Sequence, residues 1–179
     1  MARLAAFLRA INVGGHTVTM DDLRTLFRAQ GFGSVETFIA SGNVVFDTRA
    51  AAGRALERRI ADRLAASLGY EVATFVRTGD EVRAVAGHEP FTAEERARAG
   101  ALVVGFLAEP LAPAGRKALM DLRTDIDDFE VRGREVFWLC RRKQNESTFS
   151  NAVFERVVKA RATFRSTTTV VRLAAKYFG

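Results

Sequence analysis

An α+β fold is predicted by three features of this sequence. Apolar runs of strand length alternate with segments whose apolar residues recur at helical spacing. In the first half these follow the order strand, helix, strand, strand, helix, strand. Hydrophobic residues make up 48% and charged residues 27% of the 179, the balance of a globular chain, and no apolar run nears the about 20 residues of a membrane span.

The first strand is the mostly apolar run RLAAFLRAINV, which reads as buried on both faces with Arg3 and Arg9 near its ends. Because Arg9 interrupts it and no small-residue cleavage site follows, this run is not expected to be a signal peptide. Thr19-Met20-Asp21-Asp22 is a helix start with Thr19 as cap. Met20, Leu23, Leu26 and Phe27 then share one helical face, and Gly31 closes it. Val35 to Ile39 and Val44 to Phe46 are the strands of a hairpin across Ser41-Gly42. Leu56, Ile60, Leu64 and Leu68 recur every four residues in a long helix that ends at Gly69, and Glu71 to Arg77 is the next strand.

That order is the βαββαβ pattern of a ferredoxin-like subdomain over residues 1–78. Residues 79–100 read as a helical connection, and 101–179 as a second α+β subdomain. In it, Leu102 to Leu107 is a strand, Arg116 to Leu122 a short helix, and Phe129 to Arg132 with Glu135 to Cys140 a hairpin. Two amphipathic helices, near Phe149–Lys159 and Thr167–Phe178, finish the chain. No internal sequence repeat is evident. The expected core of the first half is Leu4, Phe7, Leu8, Leu23, Phe27, Leu56, Ile60 and Leu64.

Four segments carry a resemblance to a known family. RAINVGG (9–15) and IASGNVVF (39–46), with STFSNAVFER (147–156) and ATFRSTTTVVRL (162–173), resemble motifs of domain of unknown function family 1697. The resemblance implies the fold just described and no activity. Ala10, Thr148, Ser166, Thr167 and Thr168 depart from the residues usual in the family at those places.

The chemistry of the chain is sparse. Cys140 is the only cysteine, which excludes an internal disulfide and a multi-cysteine metal site; it ends the apolar strand VFWLC and is expected to be an inert core thiol. A cytoplasmic location is the simplest expectation. His16 and His88 are the only histidines and share no ligand spacing, so no metal is expected. Asp125, Asp127 and Asp128 lack the glycine and distal glutamate of a calcium loop and read as a solvated turn. Ser147, Thr148 and Ser150 read as helix-capping residues. No general acid and base can be paired, and no cofactor motif is present.

Two clusters are candidates for binding. The βαββαβ topology brings the loop after the first strand to the same sheet end as the hairpin turn, gathering Asn12, Gly14, Gly15, Ser41 and Asn43. Asp21 and Asp22 already neutralise the helix start there, which weighs against an anion in that loop. The second cluster is Thr163, Arg165, Ser166, Thr167 and Thr168. Hydroxyls, a guanidinium and a helix start with Thr167 or Thr168 as cap are the parts of an anion site. The net charge of +6 is concentrated late, with 11 basic against 3 acidic residues in Val131–Gly179. A binding module for a small anionic or nucleotide-like ligand is therefore expected. The alternatives are an enzyme of unassigned reaction, or nucleic-acid binding through the basic C-terminal third. The latter is disfavoured because GNVVF supplies only Phe46 where RNA-recognition sheets present several aromatics. No membrane partner is expected, and the sequence sets no oligomeric state.

Overall fold

The computed structural model describes residues 1–12, 15, 17–39 and 42–179. The candidates Gly14 and Ser41, and His16 with them, lie outside the described residues. The chain divides into two compact units, Met1–Ala84 with Leu173–Gly179, and Val85–Arg172. The last seven residues thus group with the first unit and not with the segment that precedes them.

The first unit runs β1 (Ala2–Leu8), α1 (Met20–Arg28), β2 (Gly33–Thr37), β3 (Asn43–Thr48), α2 (Arg54–Leu68) and β4 (Thr74–Thr78), with α3 (Gly79–Gly87) beginning directly after it. Its four strands form one antiparallel sheet in the order β2-β3-β1-β4. Strand alternation decides what each face holds. Leu4, Ala6 and Leu8 of β1, Val44 and Phe46 of β3 and Val76 of β4 pack against Leu23 and Phe27 of α1 and Leu56, Ile60 and Leu64 of α2. Every expected core residue is buried; Phe7, being of opposite parity, lies on the other face of β1. Local signals end the helices. The Thr19 hydroxyl accepts from the Asp22 N–H at 3.0 Å, and Gly69 closes α2 at φ +81°, a conformation that side chains with a Cβ resist. The C-terminal residues are fastened within this unit: Phe178 is buried, its carbonyl accepts from Arg83 at 2.8 Å, and the Tyr177 ring meets Phe38 edge-on and lies under the Arg3 guanidinium.

The second unit contains α4 (Ala93–Arg98), β5 (Ala101–Leu107), α5 (Pro113–Met120), β6 (Asp127–Arg132), β7 (Glu135–Cys140), α6 (Asn151–Val158), β8 (Ala162–Ser166) and the start of α7 (Thr167–Tyr177). Its sheet order is β6-β7-β5-β8, again antiparallel throughout. From β5 to β8 the unit therefore repeats the connectivity and strand order of the first, a structural repeat that the sequence does not announce. The strand missed by sequence reading is β8. It is five residues long, carries a charged residue, and passes into α7 with no intervening loop. Val103 and Leu107 of β5, Trp138 and Cys140 of β7, and Ala162 and Phe164 of β8 pack against Leu119, Phe154 and Val158. Gly105 is required here, since a Cβ would lie 2.6 Å from the Phe164 ring.

Ile60 is fully buried between α2 and its sheet. Ile60→Ala should destabilise the protein by about 2–5 kcal/mol through lost transfer energy and a residual cavity. Denaturant unfolding followed by circular dichroism checks this; a loss under about 0.5 kcal/mol, the surface range, would mean that this face is not the core.

Candidate functional site

The Gly/Asn end of the first sheet is occupied with its own backbone. Asn12 Oδ1 accepts from the Val18 N–H at 2.8 Å, and Asn43, fully buried, donates from Nδ2 to the Phe38 carbonyl at 2.9 Å. Tyr70 donates its hydroxyl to the Ile11 carbonyl. Gly15 and Gly42 have φ near +80°, and at Gly42 a Cβ would lie 2.9 Å from Ile11. These contacts shape a loop, as Asx turns do, and they engage both asparagine side chains.

The C-terminal cluster is arranged differently from expectation. The helix start is capped by Ser166, whose hydroxyl accepts from the Thr169 N–H at 3.2 Å and meets the Thr169 hydroxyl at 2.9 Å. Neither Thr167 nor Thr168 is the cap, because β8 remains extended through Ser166 and the helix begins one residue later. Thr167 instead donates to the Leu102 carbonyl of β5 at 3.2 Å, and Thr168 is exposed. Arg165 is buried in β8 and shares a face with Thr163, to whose hydroxyl it donates at 2.7 Å. The same nitrogen donates to the Phe164 carbonyl at 2.9 Å. Burial pulls the guanidinium down to about 10, since desolvation disfavours its charged form.

On the other face of β8 lies a cavity of about 560 Å³. Trp138, Phe149 and Phe164 form its apolar floor, with Phe149 edge-on to both of the others. Its polar rim comes from Gln144, Asn145, Ser150 and Asn151 on one side and from Ser166 on the other, where Arg165 also reaches it. Ser150 caps α6, accepting from the Val153 N–H at 3.2 Å, so the cavity collects the N-terminal ends of two helices. Neither α6 nor α7 has an acidic residue in its first turn, whereas α1 has Asp21 and Asp22. Sequence reading found the Arg165 side of this site and missed the rest. Gln144 and Asn145 stand on an unremarkable 3-10 turn, and the aromatic floor reads as ordinary core.

The floor is anchored by Asp127. Far from being a solvated turn residue, it is buried in β6 and accepts from Trp138 Nε1 at 2.9 Å, from the Ser147 hydroxyl at 2.8 Å and from the Thr124 hydroxyl at 3.0 Å. A buried carboxylate needs several donors, and these three come from separate segments. His88 has local partners too, with Nε2 2.7 Å from Glu130 and Nδ1 against Arg132. Cys140 is fully buried, and burial pushes its thiol pKa up. Thiolate is the reactive form, so a maleimide reagent should label Cys140 only as fast as the protein opens, and rapidly once urea unfolds it. Fast labelling of the folded chain would show an exposed thiol.

Among curated proteins none matches the chain. A solved structure of the conserved bacterial protein SP0830 from Streptococcus pneumoniae is similar in fold, with a TM-score of 0.73 over 98% of both chains at 21% identity. The model of a family described as protein of unknown function, DUF1697, matches residues 1–137. The chain belongs to that family, DUF1697.

Proposed function

We propose that the protein is a binding module for a small anionic, nucleotide-like ligand held in the cavity of its second unit. The observation that carries this reading is the meeting of two carboxylate-free helix starts over an aromatic floor. Helix N-termini favour anions through their unpaired N–H groups and dipoles. Arg165 adds a charge at the rim, and the excess of basic residues after Val131 makes the surrounding field positive. Trp138, Phe149 and Phe164 offer apolar surface to the uncharged part of the ligand. The volume suits a small metabolite.

Trp138 is the only tryptophan in the chain, so its emission reports on the cavity directly. In a screen of phosphorylated and carboxylated metabolites at millimolar concentration, a ligand should change Trp138 emission and raise the melting temperature together. Arg165→Ala should remove both effects and Asn12→Ala should leave both intact. Because Arg165 is buried, Asn145→Phe provides a second variant that obstructs the rim from an exposed position and leaves Trp138 the only tryptophan. Absence of any response in the native protein, or equal responses in Asn145→Phe, would overturn the reading.

A further inference from the structure

The structural repeat supplies an internal standard for the cavity. β4 and β8 are edge strands of their sheets, so alternate residues turn N–H and C=O away from the neighbouring strand. In β4 two outward donors meet carboxylates. The Val76 N–H donates to Glu57 Oε1 at 3.0 Å and the Thr78 N–H to Glu81 Oε2 at 2.8 Å. The Val76 carbonyl accepts from Arg77, the next residue, at 3.0 Å, and that guanidinium lies 4.0 Å from Glu57. β8 reproduces one bond of this set and adds another at a position that in β4 is Thr74. The Phe164 carbonyl accepts from Arg165, the next residue, at 2.9 Å, and the Ala162 N–H donates to Glu155 at 3.2 Å. The two helix positions that supply the β4 carboxylates carry other residues in this unit. Where α2 has Glu57 as its fourth residue, α6 has Phe154; where α3 has Glu81 as its third, α7 has Thr169.

The edge of β8 thus presents the Phe164 and Ser166 N–H groups beside a buried guanidinium. Its outward carbonyls are already used, that of Phe164 by Arg165 and that of Ala162 by Asn151 Nδ2 at 3.0 Å. An added β-strand needs free acceptors as well as donors and does not fit such an edge. An acceptor-only group does, and an ionised carboxylate is one. Phe164, Arg165 and Ser166 are also the β8 residues that line the cavity. Apart from Arg165 that lining is uncharged, which suits a group of single charge.

We infer that the cavity takes a small carboxylic acid, whose carboxylate accepts from the β8 edge at Phe164 and Ser166 beside Arg165, as Glu57 and Glu81 do along β4. The acid's apolar or ring portion then lies over Trp138 and Phe149. This rests on the anion-pocket reading above and narrows it from anions in general to carboxylates.

Amide NMR of the full chain tests it with benzoate, acetate and inorganic phosphate as probes. Benzoate should shift the Phe164 and Ser166 amides saturably and leave those of Val76 and Thr78, already occupied, in place. Thr169→Glu supplies one missing carboxylate from a partly exposed helix position and should weaken benzoate binding about tenfold or more, the scale of one charge-assisted hydrogen bond. If phosphate alone moves these amides, or if benzoate changes Trp138 emission while the two amides stay still or Thr169→Glu binds unchanged, the carboxylate assignment is wrong and the anion pocket stands. If no probe and no metabolite affects either the amides or Trp138, both readings fail.

Discussion

The outward backbone groups of an edge strand must find partners, and this constraint organises both units of the protein. A buried N–H or C=O without one costs on the order of 1–3 kcal/mol. β4 and β8 meet the demand at their carbonyls with the same device, an arginine that folds back onto the carbonyl of the residue before it. That device works because each arginine is buried beside the carbonyl it reaches. It also accounts for two large polar side chains in the interior, Arg77 fully buried and Arg165 nearly so.

The units diverge in how they treat the donors. The first closes its edge with glutamates from α2 and α3, so helix and strand are joined by charge-assisted bonds. The second replaces those glutamates with Phe154 and Thr169. Phe154 joins a ring cluster with Phe149 and Phe164, while Thr169 joins the Ser166 cap. Helix-to-strand packing is thus retained through aromatic contact, and the polar end of the arrangement is left beside a cavity. An edge left beside a cavity in one unit and an edge closed by carboxylates in the other go with two residue differences in the same frame.

The aromatic floor depends in turn on Asp127. Its carboxylate holds the indole of β7, the Ser147 hydroxyl ahead of α6 and the Thr124 hydroxyl ahead of β6. Three segments, of which those of Trp138 and Ser147 border the cavity, are therefore referenced to one buried charge, a specificity that apolar packing alone supplies less well. The Gly/Asn loop of the first unit shows the opposite outcome. Asn12 and Asn43 there bond to Val18 and Phe38 backbone groups, and the carboxylates of α1 already stand at the helix start beyond it.

What the sequence determined by itself is what short-range physics governs. Helical spacing placed Leu56, Ile60 and Leu64 on the buried face of α2, Thr19 capped α1, Gly69 closed α2, and the order of elements to residue 78 followed from these signals. Only the tertiary structure decided the rest, because the deciding contacts link distant residues or depend on strand parity. β8 exists through its pairing with β5, since ATFRS is too short and too polar to declare itself. Parity at Arg165 turned its guanidinium toward Thr163, away from the floor of the cavity. Asp127 became a core residue because Trp138, Ser147 and Thr124 converge on it. The repeat stayed hidden in the sequence because the two units share backbone connectivity and the placement of one arginine, while the side chains that fill their cores and close their edges differ.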